Sequence, residues 1–149
     1  MPRPVITLTT DFGEGSPYVA AMKGAILSIN PDVTIVDITH RIAPQNIRQG
    51  ALALVDVVHG FPPGTIHIAV VDPGVGTARG LVFARIGQQC FVCPDNGLLT
   101  ALVRQKRPEI VVRLAEPRHW AERVSATFHG RDIMAVSYTH LTLPTNREV

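Results

Sequence analysis

The sequence predicts an α/β fold, with a largely parallel central sheet carrying helices on both faces. Short apolar segments alternate with helical ones, the pattern of strand–helix–strand units. The segment Ile66–Val71 is nearly all apolar, as expected of a central strand covered on both sides. Low charge (17% of residues) and few aromatics (5%) suit a buried core of that kind.

Val5–Thr9 reads as a short buried strand, followed by a polar loop from Asp11 to Ser16. Ser16-Pro17 is a helix start, with a hydroxyl cap and proline at the first helical position. That helix is expected to run from Pro17 to about Ser28, where Asn30-Pro31-Asp32 ends it. Val33–Ile38 is the second strand. The clearest helix runs from Asn46 to about His59, with Ile47, Ala51, Leu54, Val55 and Val58 on one face. Gly60-Phe61-Pro62-Pro63-Gly64 stops it, and Ile66–Val71 is the third strand. Leu81–Ile86 and Cys90–Val92 are expected to pair as a hairpin across Gly87-Gln88-Gln89. A short helix, Gly97–Gln105, follows the Pro94-Asp95-Asn96-Gly97 turn, and Ile110–Leu114 is a last strand.

The 149 residues fit one domain, and a 46% hydrophobic share supplies a packed core. No apolar run approaches the roughly 20 residues of a membrane span, so no membrane partner is expected. Net charge is +2 with scattered Lys and Arg, which excludes an evident nucleic-acid surface. Cys90 and Cys93 form a lone CxxC whose flanks read as strand, where residues three apart point to opposite faces. They are read as buried or half-buried free thiols. With no signal pattern at the N-terminus, free thiols favour the cytoplasm.

In parallel sheets ligands gather beyond the carboxyl ends of the strands. Asp11 follows the first strand and Asp72 the third, so both are expected on that rim. Thr10-Asp11-Phe12-Gly13 contains DFG, but no HRD-type loop precedes it and there is no room for two kinase lobes. Asp11 reads as a carboxylate for a ribose diol, with a local loop cap as the alternative. Asp72 and Arg79 bracket a glycine-rich turn, and His129 sits in Phe128-His129-Gly130-Arg131-Asp132. A carboxylate, a guanidinium and an imidazole can position and activate a water where the fold brings them together. The alternatives are a plain Asp72–Arg79 pair across the loop and a structural histidine. Gly74-Val75-Gly76 lacks the Walker lysine and reads as a tight turn rather than a phosphate cradle. Asp37, Thr39 and His40 close the second strand; no spaced partner set completes a metal site, and a structural role is favoured. His59 and His67 read as structural or solvated, and Pro94–Gly97 as a turn and helix start.

Val136–Val149 breaks from the preceding pattern. Val136-Ser137-Tyr138-Thr139-His140-Leu141-Thr142-Leu143-Pro144-Thr145 resembles one reading frame of a common transposase-type sequencing adapter, and a GCT codon for Ala135 fits that frame. The expectation is a native α/β domain over 1–135 and a non-native tail over 136–149.

Thr10–Gly13, Tyr18–Gly24, Asp37–His40, Phe61–Thr65, Val71–Gly76, Pro94–Gly97 and Phe128–Asp132, in this order and spacing, resemble the S-adenosylmethionine hydrolase family. These enzymes, also called S-adenosyl-L-methionine hydroxide adenosyltransferases, are related to fluorinating and chlorinating nucleoside enzymes. The resemblance spans Val5–Ala135. It implies hydrolysis of S-adenosylmethionine to adenosine and L-methionine by water or hydroxide at ribose C5′, with no cofactor or metal. It places the catalytic residues at Asp72, Arg79 and His129, and substrate contacts at Asp11, Asp72 and Phe128. Halogenase relatives carry tyrosine where Asp72 stands, and an anionic carboxylate there should repel halide. The long insertion of the fluorinating branch is also absent, and Ser16 occupies a position often acidic in hydrolases. The resemblance further implies a homotrimer with sites between subunits and a C-terminal β-barrel-like domain, which is expected to be missing from these 149 residues. Weak or absent turnover of the 149-residue chain is therefore expected. The alternatives are a halide-using nucleoside synthase or dehalogenase, and a non-catalytic nucleoside-binding fragment.

Overall fold

The computed structural model describes residues 3–75, 79–114 and 134. Among them, six strands form one mixed sheet in the order β2-β1-β3-β5-β4-β6. The strands are β1 (Val5–Thr10), β2 (Thr34–Thr39), β3 (Ile66–Val70), β4 (Leu81–Ile86), β5 (Gln89–Pro94) and β6 (Ile110–Arg113). Neighbours pair in parallel from β2 through β1 and β3 to β5. β4 alone runs against the rest, pairing antiparallel with both β5 and β6. The largely parallel α/β expectation is met.

Alternation along the strands sorts the core into two layers. Ile6 and Leu8 of β1 and Ile66, Ile68 and Val70 of β3 face α1 (Pro17–Ile29), which buries Met22 and Ile26 against them. Ala69, Val71 and Phe91 face the opposite way, against Leu54 of α2 (Ile47–Val57), Val58 and Leu102 of α3 (Thr100–Gln105). Each fully buried aliphatic side chain contributes about 1.5–3 kcal/mol through area removed from water. The β1–α1–β2 connection moves one way along the sheet and the β2–α2–β3 connection the other. Right-handed crossovers then require α1 and α2 on opposite faces, as observed.

The local chemistry accounts for the boundaries. Ser16 caps α1, its Oγ accepting from the Tyr18 N–H at 3.2 Å, with Pro17 in the first turn. Asn46 caps α2 through the Gln49 N–H at 3.0 Å. One turn into α2, Gly50 lets the helix approach β3 closely. A Cβ there would lie 2.8 Å from Leu98 Cδ2 and 3.2 Å from Val71 Cγ2. Two expected boundaries shift. The last helix begins at Thr100, not Gly97, because Gly97 takes φ +103° and cannot be helical. Gln89 belongs to β5 rather than to the hairpin turn, paired with Ile86.

Gln89 is buried because it completes a polar ladder through the sheet. Its Nε2 donates to the Phe61 carbonyl at 3.0 Å, so its Oε1 faces His67 Nε2 at 2.7 Å. That arrangement puts the imidazole proton on Nε2, and Nδ1 then accepts from the Thr7 hydroxyl at 2.7 Å. The ring stacks on Phe91 and meets Phe61 edge-on. Burial holds His67 neutral, lowering its pKa from 6.5 to about 4 against an opposing hydrogen bond to Gln89. Thr9, on β1 with Thr7, is fully buried, and its Oγ1 finds no partner among the described residues.

Cys90 packs with one core layer and Cys93 with the other, as expected for residues three apart on a strand. Both are free thiols, and burial raises both pKa values. Among the described residues no helix is long and apolar enough to cross a membrane.

Candidate active site

The connection after β1 leads to β2 on one side, and β3 continues toward β5 and β4 on the other. The crevice beyond the carboxyl ends of β1 and β3 is therefore the topological switch point, the usual ligand site in such sheets. Thr10 and Val70 are in register across these strands. Asp11 follows Thr10 directly and Asp72 lies two residues after Val70, so both expected acids stand on this rim.

Asp72 opens a turn closed by the Val75 N–H on the Asp72 carbonyl at 3.3 Å, with Pro73 at the turn position its fixed φ favours. Its carboxylate takes three hydrogen bonds from Arg79. Nε donates to Oδ1 and to Oδ2 at 3.0 Å each, and Nη2 donates to Oδ2 at 2.6 Å. The side chains are only 4% and 12% exposed, which sets this pair apart from the solvated Arg3–Asp32, Arg41–Glu14 and Arg85–Glu109 pairs. In so dry a setting the guanidinium fork and the carboxylate hold each other in one geometry. The pairing across the loop is thus real, and it also brings together two of the three proposed catalytic groups. The third, His129, and the neighbouring Phe128 lie outside the described residues. β6 ends on the same rim, where the Leu114 N–H donates to the Leu81 carbonyl at 2.8 Å.

Asp11 is half-exposed, and its Oδ2 accepts from the backbone N–H of Gln45 at 2.7 Å. Gln45 is the one described non-glycine residue with a left-handed backbone, at φ +63°. That conformation aims its N–H at the carboxylate and leaves Oδ1 without a partner among the described residues. A carboxylate fixed by one oxygen and open at the other suits a vicinal diol.

The residue before Asp11 is held from behind. The register of β1 on β2 slips by one residue, so that Thr9 faces Thr39. This slip sets His40 beside Thr10. Thr10 Oγ1 lies 2.8 Å from His40 Nδ1, His40 Nε2 lies 2.8 Å from Asp37 Oδ1, and Lys23 Nζ donates to Asp37 Oδ2 at 2.7 Å. Burial pushes the Asp37 carboxyl up, but the hydrogen bonds and charges of Lys23 and His40 outweigh it and hold it below the usual range. His40 thus bridges the Asp37 carboxylate and the Thr10 hydroxyl through its two ring nitrogens. Thr10 Oγ1 also accepts from the Phe12 N–H at 3.2 Å. This chain braces the Asp11 loop, in keeping with the structural role expected of Asp37 and His40.

Sequence reasoning did not single out Gln45 or Lys23, and it gave Asn96 no role beyond a turn. Gln45 carries no sequence signal, since its part is played by the backbone. Among the described residues no group of three His, Cys, Asp or Glu side chains is placed to hold a metal.

The protein-family profile described as SAM hydroxide adenosyltransferase N-terminal domain matches residues 6–148. The (R)-S-adenosyl-L-methionine hydrolase of Methanocaldococcus jannaschii is 44% identical over 137 residues, covering 89% of this chain and 51% of that protein. A fluorinase of Nocardia brasiliensis is 31% identical over 162 residues, covering 93% of this chain and 54% of its own. The crystal structure of an uncharacterized conserved protein from Thermotoga maritima superposes with a TM-score of 0.89 at 37% identity, covering 94% of this chain and 55% of that one. The chain spans about half the length of the relatives it matches.

Proposed function

This chain belongs to the SAM hydroxide adenosyltransferase family, and from that premise we propose that it carries the water-handling half of an S-adenosyl-L-methionine hydrolase. The observation behind this reading is the buried Asp72–Arg79 pair beside Asp11 at the switch point. Greater identity to the archaeal hydrolase than to the fluorinase points the same way.

In this reading Asp11 accepts the two ribose hydroxyls and so fixes C5′ above the rim. Arg79 holds and polarises the water, with its own charge balanced by Asp72. Asp72 orients the water and accepts its proton, because a guanidinium with a pKa above about 12 is a poor base. His129 relays the proton outward, and Phe128 walls the substrate. The water oxygen bonds to C5′ as the C5′–sulfur bond breaks, and the electron pair leaves on a neutral thioether. Adenosine, methionine and one proton result. The sulfonium is already a good leaving group, so alignment and partial desolvation of the nucleophile carry most of the catalysis. S-adenosylmethionine is the substrate, and no cofactor enters.

The remaining adenine and methionine contacts belong to the other half of the whole protein, read as a cytoplasmic homotrimer. Residues 1–135 are read as the native domain and 136–149 as an adapter-derived tail. The test is incubation of S-adenosylmethionine with the whole protein in ¹⁸O-labelled water, with and without halide. The expected products are methionine and adenosine labelled at the 5′ oxygen. Unlabelled adenosine, a 5′-halogenated nucleoside, or binding without turnover would overturn the reading.

A further inference from the structure

The segment from Asp72 to Arg79 joins two strands that are not adjacent in the sheet. β5 lies between β3 and β4. With strands about 4.8 Å apart, the two ends of this arch stand roughly 10 Å apart across the carboxyl end of β5. Asp95 and Asn96, which follow β5, lie between the two ends of the arch.

Both reach up to it. Asn96 Nδ2 donates to the carbonyl of Val71, immediately before Asp72, at 2.9 Å. The Asp95 N–H donates to the carbonyl of Gly80, immediately after Arg79, at 2.8 Å. Two adjacent residues thus grip the two feet of the arch, one residue outside each member of the ion pair. The grip is itself anchored. Asn96 Oδ1 accepts from the Leu98 N–H at 3.4 Å, and Leu98 is fully buried under Gly50 of α2. Pro94 pairs with Leu81 across the hairpin, which fixes the height of the turn below the arch.

We propose that Asn96 is a positioning residue for the reaction. With the Asp95 amide, it staples both feet of the Asp72–Arg79 arch and so sets where the carboxylate–guanidinium pair presents the water. This deepens the hydrolase reading and rests on it for the chemistry, though not for the staple itself. The side-chain amide is required because the Val71 carbonyl needs a donor. Aspartate at position 96 would set an oxygen against an oxygen.

The test compares the whole protein with Asn96→Ala, Asn96→Asp and Leu102→Ala. The last deletes a buried side chain of α3 outside the site and serves as a match for lost stability. Hydrogen exchange is followed in peptides spanning residues 71–80, alongside steady-state hydrolysis of S-adenosylmethionine. Both Asn96 variants should speed exchange in the arch by about tenfold or more, while Leu102→Ala changes it less than about threefold under native conditions. The Asn96 variants should lose kcat by about tenfold or more with KM within about threefold, and Leu102→Ala should keep kcat. Unchanged exchange in the arch would overturn the staple. Faster exchange with wild-type kcat would overturn its positioning role. Absence of turnover in the unaltered protein would instead sink the hydrolase reading, with the staple still judged by exchange.

Discussion

Acid should unfold this domain through one buried imidazole. His67 is fully buried in mid-sheet, neutral, with Nε2 donating to Gln89 and Nδ1 accepting from Thr7. Its pKa is about 4 in the fold against 6.5 ordinarily. The unfolded chain therefore takes up a proton that the folded chain refuses between those two values. The sign follows: the stability is fully present above pH 6.5 and is lost as pH falls toward 4. At about 1.4 kcal/mol per pH unit, the whole difference is on the order of 3 kcal/mol, with about 2 kcal/mol of it gone by pH 5. That is a large part of the 5–15 kcal/mol typical of a domain. The assay is urea unfolding at half-unit intervals from pH 7.5 to 4.5, paired with nitrogen NMR of the histidine rings. Near pH 5 the stability should fall with a slope approaching one proton. A folded His67 ring that titrates near 6.5, or a flat stability profile down to pH 5, would refute the reasoning.

In the whole protein, Asp72→Asn, Arg79→Ala and His129→Ala should each lower kcat by about a hundredfold or more with far smaller changes in binding; wild-type turnover in all three would remove the assignment. Gly50→Val should cost about 2–3 kcal/mol in urea unfolding, because the added carbons overlap Leu98 and Val71; an unchanged midpoint would show that α2 can lift off β3 freely. Thr9→Val replaces a buried hydroxyl that has no partner among the described residues by a methyl group, so it should be neutral or stabilise by about 1 kcal/mol; a loss of that size would reveal a partner for the hydroxyl. Deleting Val136–Val149 should move the melting temperature by no more than about 2 °C, and a larger fall would contradict the adapter reading.

Much of the fold was legible because its signals are local. Ser16-Pro17 announces α1 through a hydroxyl acceptor and a preset φ, and the 3.6-residue stripe from Ile47 to Val58 announces α2. The errors fall where a tertiary partner outvotes local chemistry. Gln89 looks like a turn residue, and only the buried His67 explains why it is a strand residue instead. Gly97 looks like the first helical residue after a turn, but its φ of +103° postpones the helix to Thr100. At the rim, Asp11 and Asp72 could be placed because each follows an apolar strand, and the alternative of an Asp72–Arg79 pair was visible from spacing. The bonds from Gln45 to Asp11 and from Asn96 to Val71 span 34 and 25 residues. They depend on strand order, which periodicity does not encode.

The single antiparallel strand has a consequence for how such a protein can change. In an ordinary strand–helix–strand unit the connection must travel to the far edge of the sheet, so its length is tied to the helix and the core beneath it. Because β4 returns toward the sheet from the same rim that β3 leaves, the segment between them begins and ends on one edge. Changes of length between Asp72 and Arg79 therefore need not shift any strand pairing described above. That segment is thus a replaceable module, open to change while the sheet inherits its packing unaltered.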